Sequence, residues 1–184
     1  MITYYRDRVD LLRRGLQHAS LCMEVGVATG GFSELIMEIC DPWRLVLVDT
    51  VIQERVPRVF AKDIAMGQVH IHQGLSPHAL QNLKHDAFSW VYIDADHSEE
   101  AVYKDLCAAS LLVHENGYLA GHDICTSGNE DKVARHYPGV LVAVTRFCKE
   151  HNWSICGLTE VHPQHGRIDH ATPNVQSYVL VRNR

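Results

Sequence analysis

Several features are missing from this 184-residue sequence, and their absence narrows its class. No apolar run approaches the roughly 18 residues of a membrane-spanning helix, and the first residues lack the basic-then-apolar pattern of a signal peptide. Basic residues are not in excess, because the net charge is −5, so nothing favours binding to nucleic acid or to an anionic membrane. We therefore expect a cytoplasmic protein whose partner is a small molecule, and a homo-oligomer is compatible with this.

Metal-binding and disulfide patterns of cysteine are also missing. The six cysteines include no Cys-x-x-Cys pair and mostly have apolar neighbours, which is typical of free thiols in a reducing compartment. We expect neither disulfides nor a zinc knuckle. His70 and His72 would share one face of a strand, but no third ligand is nearby, so we do not expect a metal ion there.

Strand and helix patterns alternate along the chain, which predicts a single α/β domain over residues 1–184. An amphipathic N-terminal helix is expected at 4–17, before a core that starts at residue 21. The fold class is a doubly wound, Rossmann-like, mostly parallel seven-stranded sheet with an antiparallel last strand and helices on both faces. The seven expected strands are 21–25, 44–49, 68–73, 88–94, 118–121, 153–158 and 178–181.

A glycine-rich turn follows the first of these strands. Its pattern is Glu24-x-Gly26-x-x-x-Gly30, with Ser33 as the expected cap of the next helix. The dinucleotide fingerprint is Gly-x-Gly-x-x-Gly, so the spacing differs from that of NAD-binding proteins. An acidic residue beside the turn suits a ligand with an ammonium group better than one with phosphates, although a purely structural turn would look the same.

Polar side chains stand at the ends of four expected parallel strands. Because ligands of doubly wound sheets lie across the carboxyl ends of the strands, these residues are predicted to form one site. Asp49, at the end of the second strand, is a candidate for accepting both ribose hydroxyls of a nucleoside; the alternative is a simple loop acid. The residues at the strand ends are Glu24, Asp49, Asp94, His122 and Asp123.

Three short segments give a more specific resemblance: Met-Glu-Val-Gly-Val at 23–27, Val-Tyr-Ile-Asp-Ala-Asp-His at 91–97 and Leu-Ala-Gly-His-Asp at 119–123. Together they resemble the class I S-adenosylmethionine (SAM) methyltransferases, in particular methyltransferase family 24 and the metal-dependent catechol and caffeoyl-CoA O-methyltransferases. The similarity runs from about residue 21 to 151. It implies SAM as cofactor, bound by Glu24, Gly26, Val27, Gly30, Ser33, Asp49, Ser76, Asp94 and Asp96.

The same resemblance implies a divalent cation held by Asp94, His122 and Asp123. The relatives usually have Asp followed by Asn or Asp at the fifth strand, and a histidine nitrogen is softer than these oxygens. His122 therefore favours Mn²⁺, Fe²⁺ or Zn²⁺ over Mg²⁺, or else only the two carboxylates coordinate. His97 occupies the position of the relatives' basic lysine and is the candidate general base; Asp94 is the other candidate catalytic residue. Asp96 either orients His97 or touches the cofactor.

The favoured function is a SAM-dependent O-methyltransferase, divalent-metal-assisted, acting on a hydroxyl of a small molecule. Two alternatives are an NAD-dependent oxidoreductase on a related fold, and a non-catalytic SAM- or metal-binding module. Acceptor contacts are expected from residues 124–139 and 160–174, whose conformation the sequence does not predict.

Overall fold

The computed structural model describes residues 1–16, 20–125, 139–160 and 176–183. Within them, eight strands form one sheet in the order β1-β7-β8-β6-β5-β2-β3-β4. The strands are β1 (Thr3–Tyr5), β2 (Leu21–Val25), β3 (Arg44–Asp49), β4 (Val69–Gln73), β5 (Phe88–Ile93), β6 (Val113–Ile124), β7 (Trp153–Thr159) and β8 (Gln176–Arg182). The helices are α1 (Arg8–Arg14), α2 (Gly31–Cys40), α3 (Arg55–Val59), α4 (Ala61–Ala65), α5 (His78–Gln81), α6 (Glu99–Ser110) and α7 (Val140–His151).

The fold class is confirmed, with one strand more than expected. Strands β4, β3, β2, β5 and β6 are parallel neighbours, and β8 is antiparallel to both β6 and β7. The extra strand is β1, which pairs in parallel with β7 at the edge of the sheet. The prediction of seven strands is therefore wrong by this short N-terminal strand.

The N-terminal segment is not one helix over residues 4–17. Thr3, Tyr4 and Tyr5 form β1, because β-branched and aromatic side chains suit a pleated sheet edge. Helix α1 begins only after Asp7, whose side chain accepts a hydrogen bond from the Asp10 N–H at 2.8 Å and so caps the first turn.

Two other boundaries differ from expectation. The sequence of residues 53–66 predicts one weak helix interrupted by Pro57, whereas the structure has the two short helices α3 and α4 there. The fifth expected strand begins at Val113 rather than at residue 118, because α6 already ends at Ser110. The second difference concerns the end of an element, where local sequence signals are weakest.

Apolar side chains cover both faces of the sheet. On one face, Val25 and Ile93 pack with Val102 and Leu106 of α6 and with α7. On the other face, Tyr92 of β5 and apolar residues of β2 and β3 pack with α1 and α2. Since burying one large apolar side chain contributes about 2 kcal/mol, these two layers fix the strand ends relative to each other. The sheet is therefore a rigid support for the polar residues that follow the strands.

Candidate functional site

The carboxyl ends of the central parallel strands meet at one edge of the sheet. The last pairs are in register, with Val25 opposite both Val48 and Ile93, and Ile93 opposite Gly121. A cavity of about 420 Å³ opens at this edge. The polar residues that line it are Asp49, Thr50, Ser76, Asp94, Asp96 and Asp105.

Gly26 makes this cavity possible by allowing two strands to approach closely at their ends. Its φ of +91° is unfavourable for other residues, and an added Cβ atom would collide with the backbone carbonyl of Asp94. Asp94 in turn donates its backbone N–H to Val25 at 2.8 Å. Gly30, also left-handed with φ of +80°, precedes α2 as its N-cap residue. The backbone conformation of this turn therefore requires its glycines, and the turn also lies beside the cavity.

Asp49 closes the turn from the next strand. Its carboxylate accepts hydrogen bonds from the backbone N–H groups of Val27 at 2.7 Å and Ala28 at 2.9 Å. Burial opposes ionisation, but hydrogen bonds from the backbone of Ala28, Val51 and Val27 lower the pKa of Asp49 below its ordinary value. The carboxylate is thus charged and fixed at the cavity wall, where it can accept hydrogen bonds from hydroxyl groups.

Glu24 and Ser33 lie apart from the cavity wall. By the two-residue period of a strand, Glu24 shares the face of Cys22 that is packed by α2. It is 1% exposed and accepts a hydrogen bond from the Ser33 hydroxyl at 2.5 Å, while burial raises its pKa to about 8. Ser33 is inside α2 and does not cap it, so the predicted cap is wrong and Gly30 takes that position.

The sequence Ser76-Pro77 before a helical segment predicts Ser76 as the helix cap, but the structure differs. Pro77 is the N-cap of the short helix α5, and no side-chain cap hydrogen bond forms there. Instead, the Ser76 hydroxyl donates to the Asp105 carboxylate of α6 at 2.9 Å. Asp105 is 2% exposed, and burial raises its pKa to about 6, with the Ser76 hydrogen bond opposing that rise. Both residues line the cavity.

Asp96 stays at the cavity wall after β5, and its carboxylate accepts a hydrogen bond from the Ser98 N–H at 2.7 Å. The hydrogen bonds from Ser98 lower the pKa of Asp96. Ser98 is the N-cap residue of α6, as expected, but its side chain makes no capping hydrogen bond. Asp96 therefore remains a charged acceptor that faces the cavity.

Asp94 connects the cavity to a second group of polar side chains. Arg8 of α1 approaches it, with 3.3 Å between Nη1 and Asp94 Oδ2. Burial raises the pKa of Asp94, and the nearby His122, Arg8 and His97 counteract this rise while Asp123 adds to it. A cation beside Asp94 therefore favours its charged form.

Asp123 lies between two histidines. Its Oδ2 is 2.7 Å from His97 Nε2, and its Oδ1 is 2.8 Å from His122 Nδ1. Burial opposes ionisation, but the hydrogen bonds from His122 and His97 hold the pKa of Asp123 well below its usual range. The hydrogen bond to Asp123 also raises the pKa of His97, against the effect of burial. His97 and Asp123 therefore form an imidazole–carboxylate pair in which the imidazole can accept a proton.

The donor atoms of this group could also hold a metal ion. One ligand atom each from Asp94, His97 and Asp123 lies within 4.8 Å of the others. Two carboxylates and one imidazole suit Mn²⁺, Fe²⁺ or Zn²⁺. The described residues thus group His97 with the two carboxylates, rather than His122, which contacts Asp123 alone among the predicted ligands.

Comparison with known proteins identifies the family. A methyltransferase domain model, that of methyltransferase family 24, matches residues 23–124, which is more than half of the chain. The chain belongs to this methyltransferase family. It is a class I SAM-dependent methyltransferase, and the NAD-dependent oxidoreductase considered from the sequence is not supported. No protein of curated function matches the chain in sequence.

Solved structures share the fold of this methyltransferase at low sequence identity. The N-methyltransferase NodS of Bradyrhizobium japonicum, in complex with S-adenosylhomocysteine (SAH), has a TM-score of 0.67 and 13% identity over 96% of this chain and 85% of NodS. The 1,6-didemethyltoxoflavin N1-methyltransferase of Burkholderia thailandensis has a TM-score of 0.67 and 11% identity, over 96% of this chain and 76% of its own chain. The precorrin-6y C5,15-methyltransferase of Geobacter metallireducens has a TM-score of 0.63 and 15% identity, over 94% of this chain and 85% of its own chain.

Two residues at the site were not identified by reasoning from the sequence. Arg8 could not be found, because its position depends on how α1 docks against the sheet. Asp105 left a usable signal: it lies three residues after Val102, on the inward face of α6, where an acid is out of place. Most of the predicted acceptor loops, 126–138 and 161–174, lie outside the described residues. No helix among the described ranges is long and apolar enough to span a bilayer.

Proposed function

We propose that this methyltransferase transfers the SAM methyl group to a hydroxyl of a small molecule, with His97 as general base. The observation that carries the proposal is the 2.7 Å contact between His97 Nε2 and Asp123 Oδ2 beside Asp94. The cofactor itself follows from the family; the acceptor group and the base are the proposal.

The charges around the cavity support SAM as the ligand. Four carboxylates line the cavity, from Asp49, Asp94, Asp96 and Asp105, and no lysine or arginine does so among the described residues. SAM carries a sulfonium, an ammonium and one carboxylate, so an acidic cavity favours it over a ligand with phosphates. We place the ribose at Asp49, the methionine end at the glycine-rich turn and Asp94, and the adenine towards Ser76 and Asp96. Glu24, Val27, Gly30 and Ser33 support this placement from behind the cavity wall.

The base acts on the acceptor rather than on SAM. Methyl transfer is an in-line displacement: the acceptor oxygen forms a bond to the methyl carbon as the carbon–sulfur bond breaks, and SAH leaves. A hydroxyl must lose its proton to become a sufficient nucleophile. Because Nε2 of His97 lies against Asp123 Oδ2 at 2.7 Å, Nδ1 is the nitrogen that would take up the hydroxyl proton.

A divalent cation would be held by the carboxylates of Asp94 and Asp123 and one imidazole. The imidazole is either His97, which the structure groups with both carboxylates, or His122, the residue implied by resemblance. When bound, such an ion lowers the pKa of a coordinated hydroxyl and orients it. If His97 is the ligand, it cannot also be the base.

Radiolabelled SAM and a panel of catechols, polyols, sugars and matched amines test the acceptor. We expect label in the hydroxyl compounds and none in the amines; methylation of amines alone would refute the proposal.

Mn²⁺ titration of the wild type, His97→Gln and His122→Gln tests the metal. We expect His97→Gln to bind Mn²⁺ but lose turnover, whereas loss of Mn²⁺ binding in this variant would make His97 a ligand. Turnover that EDTA leaves unchanged would exclude a role for the metal, and it would leave the proposed SAM contacts untouched.

A further inference from the structure

Arg8 is fixed at the site from three directions. Its Nη1 is 3.3 Å from Asp94 Oδ2, and its guanidinium carbon lies 4.9 Å from the centre of the Phe32 ring in the first turn of α2. The nearby Tyr92 and Asp94 raise the pKa of Arg8 against the effect of burial. The side chain is 28% exposed, so it is not sealed inside the protein. An arginine held in this way presents its remaining N–H groups in one orientation.

The other arginines of α1 do not share this environment. Arg14 pairs with Asp10 one turn earlier on the same helix, and its side chain is 56% exposed. Arg13 is exposed as well. Arg8 instead contacts a residue 86 positions later in the chain, one that lines the cavity. Helix α1 therefore places one cation next to Asp94, behind a cavity wall whose charged residues, in the described part of the chain, are all carboxylates.

The methionine end of SAM needs both charges. Its ammonium and carboxylate groups are attached to the same carbon, so an anionic and a cationic partner for them would lie close to each other. Arg8 and Asp94 are such a pair. We propose that Arg8 binds the α-carboxylate of the cofactor while Asp94 accepts a hydrogen bond from its ammonium group. The inference rests on the proposed placement of the methionine end at Asp94, and it makes Arg8 a cofactor-binding residue.

Calorimetry with three ligands separates the carboxylate from the rest of the cofactor. SAH carries both the ammonium and the carboxylate, S-adenosyl-3-thiopropylamine lacks the carboxylate, and 5′-methylthioadenosine lacks both. We expect Arg8→Ala to weaken SAH binding about 30-fold, the loss of a charged hydrogen bond, and to change the other two affinities less than about threefold. Arg8→Lys should restore part of the SAH affinity, because it keeps the charge but not the planar fork. Arg13→Ala is the matched control on the same helix and should bind all three ligands as the wild type does.

Two results would overturn the inference. Equal weakening of all three ligands by Arg8→Ala would mean that Arg8 supports the fold of the site, and undiminished SAH binding would mean that it does not contact the carboxylate. If Arg8→Ala fails to fold, the ratio of SAH to thiopropylamine affinity in Arg8→Gln and Arg8→Lys decides in the same way. None of these equilibria depends on the acceptor, so the panel of hydroxyls and amines can fail or succeed independently.

Discussion

The two halves of the strand-end crevice satisfy their carboxylates by different means. On the β3 side, Asp49 is held by backbone N–H groups of the adjacent glycine-rich turn. On the β5 and β6 side, Asp94 and Asp123 are held by side chains, from Arg8, His97 and His122. Backbone donors stay fixed and cannot change protonation, whereas imidazoles can release and accept protons. On our proposal, the first half contributes to cofactor binding alone, whereas the second half also carries the reacting groups.

The largest effect should follow a change in the reactive half. Asp123→Asn removes the charge that orients His97, so we expect kcat to fall about 10²- to 10⁴-fold, the range of general-base catalysis. Because Asp123 does not line the cavity, the SAH affinity should stay within about threefold, as measured by calorimetry.

Asp86→Asn is the matched control, since Asp86 and Asp123 both have left-handed backbones, with φ of 53° and 61°. Equal losses of activity in the two variants would show that the loss is not specific to the carboxylate beside His97, and would remove the contrast between the halves.

A change in the binding half should act on affinity. Asp49→Ala removes the acceptor of two backbone N–H groups and the proposed ribose contact, so we expect SAM to bind about 100-fold more weakly and the free energy of unfolding to fall by about 1 to 2 kcal/mol. At saturating SAM, kcat should change much less than in Asp123→Asn. Glu38→Ala, an exposed acid on α2, serves as control. Loss of kcat with unchanged SAM affinity would reverse the roles of the halves.

The smallest effect concerns Asp105. Its carboxylate is held by the Ser76 hydroxyl and, among the described residues, neither by backbone N–H groups nor by a basic side chain. Its pKa of about 6 means that the folded protein binds this proton more tightly than the unfolded chain does. Stability from this group is therefore present at low pH and is lost as the pH rises through about 6. We expect Asp105→Asn, which keeps an acceptor for Ser76, to be about 2 kcal/mol more stable than the wild type at pH 7.5 and equal to it near pH 4.

Urea denaturation at several pH values measures this difference. Glu24, whose pKa is raised to about 8, adds its own pH dependence to both proteins and cancels in the comparison. A stability difference that is the same at both pH values would show that Asp105 is not a titrating group of the folded state.

The sequence predicted this site where residues follow strands and failed where contacts depend on docking. Asp49, Asp94 and Asp123 follow buried apolar runs, so the strand-end rule predicts them at one edge of the sheet. Glu24 was expected at the cavity, but the period of β2 directs it towards α2. Arg8 could not be assigned, because a strand at 3–5 shortens the predicted helix and sets where its first turn lies.

The most direct test of His97 as the base is His97→Ala, with the methyl-transfer rate at saturating SAM and the SAH affinity measured on the same preparation. The rate is followed with an acceptor on which the wild type turns over, and His72→Ala, an exposed histidine of β4, is the control. We predict a rate lower by about 10²- to 10⁴-fold, an SAH affinity within about twofold, and a control like the wild type. An unchanged rate, or loss of both rate and affinity, would contradict the assignment of His97 as the base.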